Sequence, residues 1–309
     1  MYMYLPIALT SVNYLVVMGL GLGVGLLSGL FGVGGGFLMT PLLMMIGIPP
    51  TIAAATDANQ IVAASASGTF SHWRLGNVDF KMGFYLLIGG FVGGAGGVQV
   101  IKILRATGGA DFMIKMTYVI MLGLVGSFMF VESLHAMRKT KKAAATTDQP
   151  SSPKKKKGGF FAALPMQVYF EKSGVTHSAL VPLVLGTFVG VLAAIMGVGG
   201  GFLMVPVMIY MLRMPMHVVV GTSLFQILFT CIEVTYLQAY SNHTVDFMLA
   251  LLLLVGSVFG AQIGTVLGKK LHGEQLKILL SIIVLAVTVK IVLELVMEPS
   301  ILLSYAGGH

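Results

Sequence analysis

FGVGGGFLM at residues 31–39 returns 165 residues later as MGVGGGFLM at residues 196–204. Both copies lie inside long uncharged apolar stretches, and a proline follows each of them, at Pro41 and Pro206. Glycine destabilises a helix interior by about 1 kcal/mol per residue, so three glycines in a row predict a break in the helix. Inside a bilayer, a broken helix is tolerated only where its backbone lines a protein cavity or binds something. Two breaks at matching positions therefore indicate a transporter's binding site between two related halves.

Composition places the chain in a membrane. Of its 309 residues, 56% are hydrophobic and 10% are charged, whereas soluble domains carry about 25% charged residues. Several uncharged stretches exceed the roughly 18 residues that a spanning helix requires. The sequence therefore predicts an all-α, polytopic helical membrane protein. We expect no enzyme activity, no cofactor and no metal site, because no nucleophile–base constellation, cofactor motif or metal-ligand spacing occurs.

The net charge of +8 is concentrated in one segment. This distribution argues against nucleic acid as a partner and predicts a cytoplasmic loop of a multi-pass protein in the inner (plasma) membrane, because cytoplasmic loops are rich in Lys and Arg. Anionic lipid headgroups are an alternative partner for it. Eight of the 19 basic residues lie there: Arg138, Lys139, Lys141, Lys142 and Lys154 to Lys157.

The duplication extends well beyond the glycines. The repeated elements include a Thr-x-x-x-Gln motif, a Val-Asp-Phe tripeptide at residues 78–80 and 245–247, and glycines spaced every four residues from Gly89 and from Gly256. We divide the chain into a first transmembrane repeat at 1–137, a basic cytoplasmic linker at 138–176 and a second transmembrane repeat at 177–309. We expect the four-residue glycine spacing to serve close helix packing, and the aspartates of the tripeptides, Asp79 and Asp246, to cap the helices that follow.

The first apolar stretch of each half is too long for one crossing. Its 36 residues would form a helix of roughly 54 Å, against about 30 Å of hydrocarbon. A helical hairpin that turns at GVGGG fits better, with three transmembrane helices after it. If each half begins with such a hairpin, the repeats are inverted. With Lys290 left out because it lies within an apolar stretch, this topology places 15 basic residues inside and three outside, compared with 11 and seven for parallel repeats. The positive-inside rule favours inversion.

The glycine breaks are the first candidate for a substrate site. A helix that restarts after a break presents N–H groups without intrahelical partners at the positive end of its dipole, and oxyanions suit such a site. The alternative is that the glycines only allow a tight turn or close packing. The candidate residues are Gly34, Gly35 and Gly36 in the first half, and Gly199, Gly200 and Gly201 in the second.

The next stretch of each half carries polar residues one helical turn apart. Thr56 and Gln60 share a helix face, as do Thr222 and Gln226. Polar side chains at membrane depth face the interior of a bundle. Substrate contact and interhelical hydrogen bonding are equally consistent with this pattern.

Asp57 and Glu233 are acidic residues well inside apolar stretches. An ionised carboxylate costs several kcal/mol in a membrane, so it pairs, takes up a proton or serves transport. We consider both residues candidates for proton coupling, with a structural partnership as the alternative. Neither has an acidic counterpart in the other half, since Asp57 aligns with Ser223 and Glu233 with Ser67.

The doubled GVGGGFLM with its following proline, the downstream Thr-x-x-x-Gln and the glycine-rich third stretch resemble the TauE/SafE family of sulfite and organosulfonate exporters. The likeness covers both halves and excludes the linker. It implies a bacterial-type membrane permease that moves small sulfur-containing anions by secondary transport. Two alternatives remain: an uncoupled anion channel, and a membrane scaffold or sensor that acts through its basic linker.

Overall fold

The computed structural model describes residues 2–31, 36–143, 167–268 and 273–297, and these residues form helices and two short strand pairs. The predicted helical membrane protein is confirmed. The first half contains β1 (Tyr2–Leu5), β2 (Thr10–Asn13), α1 (Tyr14–Phe31), α2 (Gly36–Met45), α3 (Pro50–Arg74), α4 (Phe80–Ala106) and α5 (Ala110–Ala143). The second contains β3 (Gln167–Phe170), β4 (Val175–Ser178), α6 (Leu180–Met196), α7 (Gly201–Tyr210), α8 (Met216–Leu237), a π-helical turn (Gln238–Asn242), α9 (Phe247–Gly268) and α10 (Gly273–Met297).

The helices break where the glycines predict a break. In the first half α1 ends at Phe31 and α2 begins at Gly36; Gly34 and Gly35 lie outside the described residues. In the second half the connection from α6 to α7 has φ angles of +72°, +68° and +77° at Gly197, Gly199 and Gly200. These are left-handed backbone conformations that glycine adopts without steric cost, so the motif permits the turn between the two helices.

Each half begins with an antiparallel hairpin that the sequence did not lead us to expect. β1 pairs with β2 and β3 with β4, at positions 165 residues apart. The second hairpin begins at Gln167, within the range interpreted as linker, and α5 extends into that range from the other side. Leu5 and Phe170 are fully buried, so the hairpins are held by docking onto the bundle. Because each hairpin has only eight strand residues and depends on these contacts, its sequence carries little pattern by which it could be predicted.

The docking of the hairpins joins one half to the other. The Asp79 carboxylate accepts hydrogen bonds from both the backbone N–H and the hydroxyl of Ser173, which lies between β3 and β4. At the equivalent place, the Asp246 carboxylate accepts a hydrogen bond of 3.3 Å from the Ile7 backbone N–H, between β1 and β2. Each hairpin therefore contacts the aspartate that begins the fourth helix of the opposite half.

The first helix of each half packs against the fourth helix of the other. A Cβ atom at Gly256 of α9 would lie 2.5 Å from the Met18 carbonyl oxygen of α1, and one at Gly260 would overlap the Leu22 backbone. In the same way α4 meets α6, where a Cβ atom at Gly89 would overlap the α6 backbone. The glycine spacing thus serves close packing of these helices, as predicted. In both pairs the contacts advance together along the two helices, so the paired helices are parallel.

Two pairs of helices that occupy equivalent positions in the two halves run in opposite directions. In the pair α5 and α10, Lys115 contacts Glu294, whereas Gly126, farther along α5, faces Val284, earlier in α10. In the pair α3 and α8, Gly68 faces Leu224 while Ile61, earlier in α3, packs against the later residues Ile227 and Cys231.

Four helices in the described part of the chain are long and apolar enough to cross a membrane by length and composition. They comprise Phe80–Ala106, Ala110–Phe128, Val218–Asn242 and Phe247–Gly264. The spans Tyr14–Ser28, Gly36–Met45, Leu180–Met196 and Gly201–Tyr210 are apolar and shorter. Of the remaining helices, α3 and α10 contain 25 residues each, and α3 carries several buried polar residues.

Candidate functional site

The two short helices that follow the glycine breaks, α2 and α7, meet in the interior of the protein. Phe37 and Phe202 are the second residues of α2 and α7, and their rings stack with centroids 4.4 Å apart and planes 13° apart. Both side chains are 2% exposed. The first turns of the two short helices are therefore neighbours, although 165 residues separate them in the chain.

One face of α3 lies against both breaks. A Cβ atom at Gly197, in the second break, would overlap the Ala54 carbonyl oxygen. Ile61, two turns farther along the same face, lies against Gly36 of the first break, and a Cβ atom at Gly199 would be 3.3 Å from its Cγ2 atom. Hydrogen in place of a side chain is what allows the breaks to approach α3 so closely.

Asp57 lies on this face of α3, between Ala54 and Ile61. Its carboxyl group is fully buried, and its Oδ2 atom accepts a 2.8 Å hydrogen bond from the Thr40 hydroxyl of α2. The same Oδ2 atom would be 3.4 Å from a Cβ atom at Gly36, so the carboxyl group is beside the first turn of α2. Its Oδ1 atom has no hydrogen-bond partner.

In the described part of the chain, no cation lies within ion-pairing distance of Asp57. Among the described residues one ion pair is present, between Lys115 and Glu294 at 2.8 Å. Tyr118 of α5 and Cys231 of α8 lie within electrostatic reach of the Asp57 carboxyl group. The Tyr118 hydroxyl donates to the carbonyl oxygen of Met196, at the last residue of α6. One of the groups near Asp57, Tyr118, thus also binds the end of α6.

A second group of polar side chains follows α8 where it faces α4. The Gln226 side-chain N–H donates to the Thr230 hydroxyl at 2.9 Å, while its Oε1 atom and the Oε2 atom of Glu233 are buried without a partner. A Cβ atom at Gly90 would be 2.8 Å from the Thr230 hydroxyl, and one at Gly94 would be 2.9 Å from Glu233 Oε2. Glycines of α4 therefore make room for this polar row.

Thr56 and Thr222 make equivalent hydrogen bonds between the halves. The Thr56 hydroxyl accepts from the Asp246 backbone N–H at 3.2 Å, and the Thr222 hydroxyl accepts from the Asp79 backbone N–H at 3.0 Å. Both threonines are fully buried. Side-chain oxygens of the two aspartates also accept from N–H groups in the first turns of α4 and α9, so the predicted caps are confirmed. Of the two roles considered from the sequence, substrate contact and interhelical hydrogen bonding, the threonines make interhelical hydrogen bonds.

The candidates from sequence therefore fall into three places. Gly36, Gly199, Gly200, Gly201 and Asp57 come together at the converging breaks, Gln226 and Glu233 lie between α8 and α4, and Thr56 and Thr222 join the halves. Gln60, on α3, is 5% exposed and its Oε1 atom has no partner.

Sequence reasoning missed Thr40, Tyr118 and Ile61 as neighbours of the breaks. Thr40 precedes Pro41 within the motif region and could have been noticed there. A single tyrosine or isoleucine in an apolar stretch gives no such signal. In the described part of the chain, no group of three or more His, Cys, Asp or Glu residues could hold a metal ion.

Residues 17–291 match the family described as sulfite exporter TauE/SafE. The chain is 25% identical over 294 residues to the probable membrane transporter protein YunE of Bacillus subtilis (strain 168), covering 91% of this chain and 98% of that protein. It is 29% identical to the probable membrane transporter protein YjnA of the same organism, with 88% and 97% covered. A shorter match, 32% identical over 36% of this chain and 25% of the relative, links it to sulfite exporter TauE/SafE family protein 1 of Arabidopsis thaliana. No solved structure matches the chain.

Proposed function

The chain belongs to the sulfite exporter TauE/SafE family, a family of membrane transporters, and on that basis we propose that it is a secondary transporter of small anions such as sulfite and related sulfur oxyanions or organosulfonates. The observation that carries this proposal is the convergence of two broken helices, seen in the stacking of Phe37 on Phe202.

Backbone N–H groups at the breaks would bind the anion. In α7 the first intrahelical hydrogen bonds run from Leu203 and Met204 to the Gly200 carbonyl oxygen, so the N–H groups of Gly201 and Phe202 precede them. N–H groups at this end of a helix lack intrahelical acceptors and carry the positive end of the dipole. They suit an oxyanion without help from lysine or arginine. We include Gly34, Gly35, Gly36, Gly199, Gly200 and Gly201 in this site.

Amide side chains would complete the site. Gln60 and Gln226 are buried, and each has an oxygen without a partner, which is costly unless a ligand or water satisfies it. Thr56 and Thr222 would contribute through the helices that they hold in place. Asp57 and Glu233 are the candidates for carrying a coupling proton.

Inverted repeats would support alternating access. The opposite directions of α3 and α8, and of α5 and α10, favour this arrangement, in which one repeat rocks against the other around a central site. With the 138–176 segment in the cytoplasm, the protein would be a multi-pass component of the inner (plasma) membrane.

Flux into proteoliposomes tests the function directly. We expect radiolabelled sulfite to accumulate against its gradient when a pH gradient is imposed. Equilibration without accumulation would identify an uncoupled anion channel instead. Absence of flux, together with loss of the cellular phenotype on deletion of residues 143–157, would favour a scaffold or sensor.

The site is tested by closing the breaks. The Gly35→Leu/Gly200→Leu double variant should lose sulfite flux, because leucine fits neither the left-handed backbone at Gly200 nor the space beside Val189 and Ala193. Gly19→Leu/Gly23→Leu is the matched control, since a Cβ atom at either position of α1 meets nothing within 4 Å. Unchanged flux in the first double variant would exclude the proposed site.

A further inference from the structure

Asp57 distinguishes the first glycine break from the second. Its counterpart in the other half is Ser223, whose hydroxyl donates to the Val220 carbonyl oxygen at 3.0 Å within α8. The hydrogen-bond donor of Asp57, Thr40, corresponds in the sequence repeat to Val205. An acidic side chain with its own donor is therefore built beside one break and is missing beside the other.

The Asp57 carboxyl group is where a bound anion would be. It lies beside the first turn of α2, with Oδ2 on the Thr40 hydroxyl and close to Gly36. Because α3 also touches Gly197 and Gly199, and because the two short helices meet at their first turns, the same carboxyl group is near the second break. A negative charge there gains the favourable interaction with helix N-termini that a substrate oxyanion would use.

Two negative charges in this fully buried space would repel each other strongly, because the low dielectric of a buried site screens charges weakly. The titratable groups that interact with Asp57 from neighbouring helices are Tyr118 of α5 and Cys231 of α8, and neither side chain can carry a positive charge. The described spans of α2, α6 and α9 carry no titratable side chain. Among the residues that the structure describes, no cationic side chain therefore compensates a second negative charge beside Asp57.

We infer that Asp57 is an internal competitor of the transported anion, so that the anion binds at the converging breaks only when Asp57 carries a proton. The inference rests on the proposed function and selects Asp57 over Glu233 as the coupling residue. The step forms one O–H bond on the Asp57 carboxylate as one anion enters, with the proton taken from a hydronium ion of the solution, which leaves a water molecule; the reverse step releases the anion and returns the proton to water. One carboxylate in two halves gives one proton for each anion.

Calorimetry on the purified full chain in lipid nanodiscs tests the inference. Sulfite is titrated into the wild type and into Asp57→Asn from about pH 6 to about pH 8, in two buffers of different ionisation enthalpy. The protonation of sulfite itself contributes equally to both titrations, so the difference in proton uptake between wild type and variant reports on Asp57. At pH values where Asp57 is ionised in the free protein, we expect the wild type to take up one more proton per anion than the variant. Where Asp57 is ionised in the free protein, the ratio of the two affinities should change by about tenfold per pH unit.

Two further variants keep the test decisive. Asp57→Ser installs the residue that occupies the equivalent place in the other half, and it should behave like Asp57→Asn if the asparagine variant does not fold. Ser223→Asp adds a second carboxylate, and it should weaken sulfite binding as the pH rises and increase the proton uptake.

Equal proton uptake and parallel pH profiles of wild type and Asp57 variants would overturn the competition while leaving the anion site intact. Sulfite binding by neither protein would overturn the proposed function, and the competition with it. Sulfite binding by the Asp57 variants but not by the wild type would also support the inference, because it would mean that Asp57 excludes the anion over the whole pH range.

Discussion

Phe37 stacks on Phe202, its equivalent in the other repeat, with ring centroids 4.4 Å apart. A residue can touch its own symmetry mate only near the axis that relates the two copies, as in the isologous interface of a twofold dimer. The first turns of α2 and α7, which contain these phenylalanines, are therefore near the axis that would relate the two halves. This places the two short helices, and Asp57 beside them, where both halves meet.

The phenylalanine pair should contribute measurably to stability. Phe37→Ala or Phe202→Ala creates a cavity at a fully enclosed position, which costs about 3–5 kcal/mol in a packed core. The stacking adds about 0.5–1.5 kcal/mol, so the double variant should lose less stability than the sum of the two singles. Thermal unfolding of the four proteins in detergent measures this coupling, and strict additivity would show that the rings do not interact.

Gly199→Ala should inactivate the protein where Gly23→Ala does not. Alanine at Gly199 must adopt a φ angle of +68°, and its Cβ atom would be 2.6 Å from the Cys231 sulfur. At Gly23, in α1, a Cβ atom meets nothing within 4 Å, and alanine is the better helix former by about 1 kcal/mol. Sulfite flux, normalised to the amount of folded protein, distinguishes the two. Equal flux would mean that the backbone at Gly199 is not restricted.

The two threonine hydrogen bonds should contribute equally. Thr56→Val and Thr222→Val each leave a buried backbone N–H, of Asp246 or Asp79, without its acceptor. The expected loss is about 1–3 kcal/mol for each variant, and serine at either position should restore most of it because the acceptor returns. Melting temperatures provide the comparison. A marked difference between the two valine variants would contradict the symmetry of the contacts.

The Lys115–Glu294 pair should be more sensitive to the loss of one partner than of both. The side chains are 12% and 28% exposed, and removing one partner leaves an unpaired charge between α5 and α10. Breaking a fully buried pair costs about 3–5 kcal/mol, and this partly exposed pair should cost less. Lys115→Met and Glu294→Gln should therefore each melt below the Lys115→Met/Glu294→Gln double variant. A double variant that melts below both singles would refute this reading.

The sequence was informative where backbone chemistry or composition determines the outcome. Three consecutive glycines predict a helix break regardless of context, and the breaks occur before Gly36 and Gly201. Four-residue glycine spacing predicts close packing of helices without naming the partner helix. An aspartate before an apolar stretch predicts a cap, and Asp79 and Asp246 provide one.

The hairpins and the choice between roles for polar residues were not accessible in this way. A strand of four residues is stabilised mainly by packing onto the rest of the protein, as β3 is through the buried side chain of Phe170. So short a strand shows no alternation of polar and apolar residues that would reveal it in the sequence. The pattern Thr-x-x-x-Gln shows that Thr56 and Gln60 share a face. It does not show that the threonine binds a backbone N–H of the other half while the Gln60 oxygen has no partner.

The sequence by itself determined that this protein is a duplicated helical membrane protein with a broken helix in each half, because hydropathy and glycine propensity act locally along the chain. Tertiary structure alone decided which elements meet. It brought Phe37 onto Phe202, paired the first helix of each half with the fourth helix of the other, and enclosed Asp57 between the breaks. Contacts between residues more than a hundred positions apart depend on how complete surfaces fit, and no local pattern encodes that fit.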